Sequence, residues 1–133
     1  MIILDTSFLV SFYNIKDNNH TKAWNIMKEL ITEKYGDIAI TDYVFDECAT
    51  VLFSRLKDLR KTLIICESIK KATQFKIHDK LFENAWEIFK KQENTKLSFT
   101  DCTILALMKE EEIEHIATFD KDFQKIKDIN VIQ

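Results

Sequence analysis

Proline is absent from this chain and glycine occurs once, at Gly36. Without these residues hairpins and glycine-dependent turns are scarce, which predicts a largely helical chain with short connections. The same scarcity excludes chemistry. One glycine cannot build the loop that closes backbone N–H groups around a nucleotide phosphate, so a P-loop or a dinucleotide fingerprint is ruled out. The G-x-S-x-G elbow of serve-all serine hydrolases is missing too. Cysteine is sparse: Cys48, Cys66 and Cys102 are odd in number, widely spaced and without a C-x-x-C pair. That argues against a disulfide framework or a zinc site, and free cysteines in an apolar pattern are expected in a reducing cytoplasm. Charge of one sign is also limited, with a formal net charge of -3. A broad, basic DNA-binding face is thereby disfavoured, whereas an acidic site offset by a bound cation is not. No apolar run approaches a membrane span, and the start Met1-Ile2-Ile3-Leu4-Asp5 has no basic n-region.

What is present suffices for one domain over 1–133: the chain has 133 residues, 46% hydrophobic and 31% charged, with ten Phe and two Trp to fill a core. Ile2 to Leu4 reads as a short strand buried on both faces. A helical pattern runs from about His20 to Tyr35, with Ala23, Trp24, Ile26, Met27, Leu30 and Ile31 on one face and Gly36 as the residue that ends it. Ile38 to Ile40 reads as a strand, Asp42 to Leu56 and Asp58 to Lys71 as helices, and Phe75 to Ile77 as a further strand. Lys80 to Lys91 and Phe99 to Glu112 are helical, His115 to Thr118 is a strand, and Asn130 to Ile132 forms a last one. Short apolar strands alternating with amphipathic helices specify an α/β fold with a mainly parallel sheet, although not its strand order.

Four acids stand out by position. Asp5 follows the first strand, Glu47 lies in the helix after the second, Asp101 opens the helix near Phe99, and Asp120 follows the strand ending at Thr118. A parallel sheet collects ligands beyond the carboxyl ends of its strands, where these acids would meet. Four carboxylates in one place repel each other, and a divalent cation relieves that conflict. Mg²⁺ prefers hard oxygen ligands and retains several waters; it can activate water and offset charge in a phosphodiester displacement. Each acid also has a plainer explanation. Ser98-Phe99-Thr100-Asp101 matches a capping box, Glu47 fits a solvated helix face, and Asp120 fits a turn or cap. Asp5 is harder to dismiss, because an acid ending a buried strand must be capped, paired or bound to a metal.

The segments Leu4-Asp5-Thr6-Ser7-Phe8-Leu9, Glu47, Phe99-Thr100-Asp101-Cys102-Thr103-Ile104-Leu105-Ala106 and Ala117-Thr118-Phe119-Asp120-Lys121-Asp122-Phe123 resemble, in order and spacing, the successive motifs of PIN domains. The resemblance spans essentially the whole chain and extends to the VapC toxins of type II toxin–antitoxin pairs. It implies a three-layer α/β/α sandwich with a mainly parallel central sheet and Mg²⁺- or Mn²⁺-dependent endoribonuclease activity. Asp5, Glu47, Asp101 and Asp120 would hold the metal or its waters. Thr118, Thr6 or Ser7 would hydrogen-bond within the site, and Asp122 would be an auxiliary acid. A small antitoxin, an RNA substrate and a second copy of the chain are the implied partners, with no membrane involved.

Arg55, Lys57, Arg60 and Lys61 form the densest basic cluster and are the candidate RNA contacts, against the plainer reading of a solvated helix face. His20, His78 and His115 are scattered, and Cys102, Trp24 and Trp86 fit a core better than a site. A catalytically silent PIN-like module that binds RNA or protein is the competing function. A haloacid dehalogenase-type phosphatase is a poor fit, because the second acid it needs two residues after Asp5 is Ser7 here.

Overall fold

The computed structural model describes residues 1–133. In chain order the elements are β1 (Ile2–Leu4), α1 (Thr6–Tyr13), α2 (His20–Leu30), β2 (Ile38–Thr41), α3 (Asp42–Leu56), α4 (Leu59–Ile69), β3 (Thr73–Phe75), α5 (Asp79–Lys90), α6 (Phe99–Glu110), β4 (His115–Ala117), a 3-10 turn (Lys121–Lys125) and β5 (Asn130–Ile132). The strands form one sheet of order β3-β2-β1-β4-β5, and every pairing is parallel. Helices flank the sheet to complete a three-layer α/β/α sandwich. Ile2, Ile3 and Leu4 of β1 are wholly buried, as expected for the middle strand of a parallel sheet covered on both faces.

The strand order locates the site before any side chain is considered. From β1 the chain steps outward through β2 to β3, then crosses back to β4 and β5 on the other side. The crevice between the carboxyl ends of β1 and β4 is therefore the point at which the winding reverses, the place where open α/β sheets bind ligands. Asp5 and Thr118 are the residues that leave those two strands.

Three details differ from the sequence expectation. The segment Thr6–Tyr13 is a helix, where no element was expected. Asp5 caps its N-terminus by accepting from the backbone N–H of Thr6 and Ser7, and Phe8, Leu9 and Val10 turn into the core. Helix α2 ends at Leu30, five residues short of the expected limit, and turns occupy the stretch to Tyr35. Gly36 consequently does not end that helix. It has φ +76°, and a Cβ there would lie 2.7 Å from the backbone N of Met1. Glycine is needed for that close approach, beside which Ile2 N–H donates to Asp37 O at 2.9 Å. The third strand is Thr73–Phe75, two residues earlier than expected, and pairs with Ala39–Thr41.

Candidate active site

Each of the acids reaches the crevice from a different element. Asp5 leaves β1 and caps α1; Asp101 is the third residue of α6; Asp120 caps the 3-10 turn after β4; Glu47 lies near the start of α3. All four line one cleft of about 420 Å³, together with Thr6, Ser7, Ser11, Asp17, Asn19, Arg55 and Ser98 among others. A larger hollow of about 470 Å³ near Leu30, Ile31, Ile69 and Thr73 is mostly apolar and brings together no such set.

Asp5 is the best-held of the four. It is only 2% exposed. Its Oδ1 accepts from Thr6 N at 2.6 Å, and its Oδ2 accepts from Ser7 Oγ at 2.6 Å, Thr118 Oγ1 at 2.7 Å and Ser7 N at 3.3 Å. Ser7 and Thr118 each have one hydroxyl proton, and both protons go to Asp5, so their mutual approach at 3.1 Å is a shared orientation about that carboxylate. Both hydroxyls also accept, from Phe119 N at 2.9 Å and Asp120 N at 3.0 Å respectively. The exit of β4 is thus stitched to the start of α1 through Asp5. Burial nonetheless raises the Asp5 carboxyl above its ordinary value, opposed by these hydrogen bonds.

Asp101 completes a capping box, with Ser98 N–H donating to its Oδ2 at 2.7 Å and its own N–H donating to Ser98 Oγ at 3.1 Å. Its carboxyl is pushed up to about 7, first by burial and then by the charge of Asp5, with Ser98 opposing and Asp120 adding to the rise. Asp120 accepts from Asp122 N on Oδ1 at 2.9 Å. The capping explanations for Asp101 and Asp120 are therefore correct as local geometry, yet each carboxylate keeps an oxygen that makes no hydrogen bond. Capping and service in a shared site do not exclude each other, because a helix start is where an anion is favoured and where backbone N–H groups hold it in place.

No Lys, Arg or His pairs with Asp5, Glu47, Asp101 or Asp120. The groups that converge are hard oxygens, and burial together with the charges of Asp5 and Asp120 lifts Asp101 toward neutrality, an environment a divalent cation would relieve. No three His, Cys, Asp or Glu side chains close tightly on one point. An ion of the Mg²⁺ type needs only one or two protein carboxylates and keeps its waters for the rest, so hard-oxygen ligands suit it. Cys48 and Cys102 offer no soft ligands: burial pushes both thiols up, Cys102 to about 11.

Other expected residues fall differently. Thr6 contributes its backbone N–H, while its Oγ1 is buried without a partner. Asp122 does not line the cleft; Lys125 and the Lys96 N–H, at 2.9 Å, take its oxygens and hold it below the usual carboxylate range. The basic cluster is divided. Lys57 adopts a left-handed conformation, φ 53°, that ends α3, so Arg60 and Lys61 ride on α4, outside the cleft. Arg55 alone of the four lines it. Asp17 also lines the cleft, and sequence reasoning missed it: in the polar stretch Lys16-Asp17-Asn18-Asn19 nothing sets it apart from an ordinary loop acid.

A family model described as PIN domain matches residues 2–129. Over 126 residues, 92% of each chain, the sequence is 29% identical to the 23S rRNA-specific endonuclease VapC20 of Mycobacterium tuberculosis H37Rv. The crystal structure of that VapC20, described as a sarcin–ricin loop cleaving toxin, superposes with a TM-score of 0.83 at 26% identity, covering 97% of each chain. A chain from a toxin–antitoxin complex of Klebsiella pneumoniae shares the fold with a TM-score of 0.70 at 18% identity, over 100% of this chain and 97% of that one.

Proposed function

This chain belongs to the PIN domain family, and from that premise we propose that it is an Mg²⁺- or Mn²⁺-dependent endoribonuclease acting as the toxin of a toxin–antitoxin pair. The observation that carries the reading is the set of four carboxylates without cationic partners, delivered by separate segments to one cleft at the reversal point of the sheet. The likeness to VapC20 supports RNA as the substrate and makes ribosomal RNA the first to try. A small antitoxin and a second copy of the chain are the partners that follow from the toxin reading. No helix is long and apolar enough to cross a membrane, and the buried free cysteines support a reducing cytoplasm as the place of action.

Asp5, Glu47, Asp101 and Asp120 would hold the metal directly or through its waters. Bound there, the ion supplies Lewis-acid activation of water and neutralises charge at the phosphate. Ser7 and Thr118 fix the Asp5 carboxylate with their hydroxyl protons, so its orientation is set before substrate arrives. Burial and the charge of Asp5 hold the Asp101 carboxyl up to about 7 without a cation, and a bound cation would favour its ionised, ligating form. Glu47 and Asp120 are half-buried in the cleft and keep a solvent-facing side open to an incoming phosphate.

The test is cleavage of ribosomal RNA and of a labelled single-stranded RNA by the purified protein, in Mg²⁺ or Mn²⁺ and in EDTA, beside Asp5→Asn and Asp101→Asn. Cutting in metal alone, reduced to background in both variants, is expected. Undiminished cutting by Asp5→Asn would remove the site assignment. RNA binding without cutting, by protein free of any partner, would favour a silent binding module.

A further inference from the structure

The cleft is lined by five acids, Asp5, Asp17, Glu47, Asp101 and Asp120, and by one cation, Arg55. A polyanion entering it meets repulsion everywhere except at that guanidinium. Glu47, Val51 and Arg55 all face the cleft and are spaced by four residues along α3, so they form one stripe. Eight residues of helix place Arg55 about 12 Å along the axis from Glu47. About two helical turns thus separate the attachment of the base from that of the acid along the stripe.

Asp17 and Arg55 are held unequally. The Asp17 carboxylate is 16% exposed and is fixed by Ser11 Oγ at 2.9 Å and Asn19 N at 2.8 Å, both on Oδ1. Arg55 is 53% exposed and makes one long contact, Nη1 to Asp17 Oδ2 at 3.5 Å. Asp17 is therefore fixed without help from Arg55. The guanidinium makes a single long contact, and its other N–H groups are uncommitted. A guanidinium matches a phosphate with two parallel N–H donors, and this one is offered to solvent at the cleft mouth.

Resting on the nuclease reading, we propose that Arg55 binds a backbone phosphate flanking the scissile one, and that Asp17 is its positioning residue. The contact is made equally in the bound substrate and the transition state, so it acts on KM and leaves kcat nearly unchanged. Arg60 and Lys61, on α4, are not part of this contact.

Two measurements test it on the full-length protein. The first is binding of a labelled single-stranded RNA in EDTA, followed by anisotropy across a salt series, for wild type, Arg55→Ala, Arg55→Lys, Asp17→Asn, Asp17→Asn with Arg55→Ala, and Lys109→Ala as a charge-loss control on the exposed end of α6. Loss of one phosphate contact flattens the slope of log K against log salt by about 0.7. Arg55→Ala is expected to show that change and an affinity loss of about tenfold, Arg55→Lys to recover most of the slope, and Lys109→Ala to match wild type. Asp17→Asn keeps the Oδ1 acceptor for Ser11 and Asn19 while removing the charge. Any weakening is expected only where Arg55 is present, and the double variant, which also lacks one repelling charge, should bind no more weakly than Arg55→Ala; additive losses would reduce Asp17 to a loop-holding role. The second is steady-state cleavage in Mn²⁺, where Arg55→Ala should raise KM with kcat within about twofold of wild type. An Arg55→Ala slope equal to that of Lys109→Ala, or an equal fall in kcat, overturns the flanking contact while wild-type cutting leaves the nuclease reading intact. Absence of both RNA binding and cutting in the wild type overturns both together.

Discussion

Asp101 retains its proton to about pH 7 before any cation arrives, because burial and the charge of Asp5 both penalise the anion. The consequence for stability has a definite sign. Below the ordinary value of 3.8 the carboxyl is neutral in folded and unfolded chains alike; as pH rises the unfolded chain ionises first, and the folded state loses stability until its own group ionises at about 7. Asp5 is shifted in the same direction. In EDTA, Asp101→Asn is therefore expected to exceed the wild type at pH 8 by about 1–2 kcal/mol after solvent screening, a rise in Tm of about 3–8 °C, with the gap shrinking toward pH 5. Thermal melts across pH check this, and a variant less stable than wild type at pH 8 would contradict it. At the proposed metal site the same protonation is expected to lower Mn²⁺ affinity as pH drops below 7, which calorimetric titration at several pH values checks. Asp5, Asp101 and Asp120 were legible at this scale because strand ends and helix starts can be read from pattern. Asp17 was not, since its place in the cleft depends on how the loop between α1 and α2 folds back against α3.

At the scale of elements, Asp5 has a second task. It caps α1 and receives the hydroxyl protons of Ser7 and Thr118, so removing the side chain and removing only its charge should have different effects. Asp5→Asn and Asp5→Ala are both expected to lose cleavage. Asp5→Asn keeps one acceptor oxygen and gives up the other, whereas Asp5→Ala leaves all four donors without their acceptor in a buried place and should cost about 1–3 kcal/mol more in urea melts. Equal stability of the two variants would refute that distinction. This dual role also explains why α1 escaped the sequence reading. Thr6-Ser7-Phe8-Leu9-Val10-Ser11-Phe12-Tyr13 is rich in aromatic, β-branched and hydroxyl residues, which are indifferent helix formers. The helix follows from the Asp5 cap and from packing of Phe8, Leu9 and Val10, neither of which is visible in a propensity. By contrast α3 matched its expected limits, Asp42 to Leu56, because Thr41 caps it by accepting from Val44 N–H and Lys57 ends it. Gly36 reads from sequence as the end of α2, whereas its task is to admit the backbone of Met1, a tertiary contact that no local pattern displays.

For the molecule as a whole, the alternation of strand and helix was enough to specify a parallel α/β sheet, but the order β3-β2-β1-β4-β5 was not readable from it. That order matters most to function, since it sets β1 beside β4 and so brings Asp5, Asp101, Glu47 and Asp120 to one crevice. The net charge of -3 likewise takes on meaning only in three dimensions, where acids without cationic partners are gathered in the cleft and most of the basic cluster lies elsewhere. The most direct measurement is anomalous diffraction from crystals grown with Mn²⁺. A Mn²⁺ peak in the cleft within direct or water-bridged reach of Asp5 and Asp101, lost in Asp5→Asn crystals, is the expected result. A fully loaded crystal with its Mn²⁺ elsewhere, and none in that cleft, would contradict the metal site on which the proposed chemistry depends.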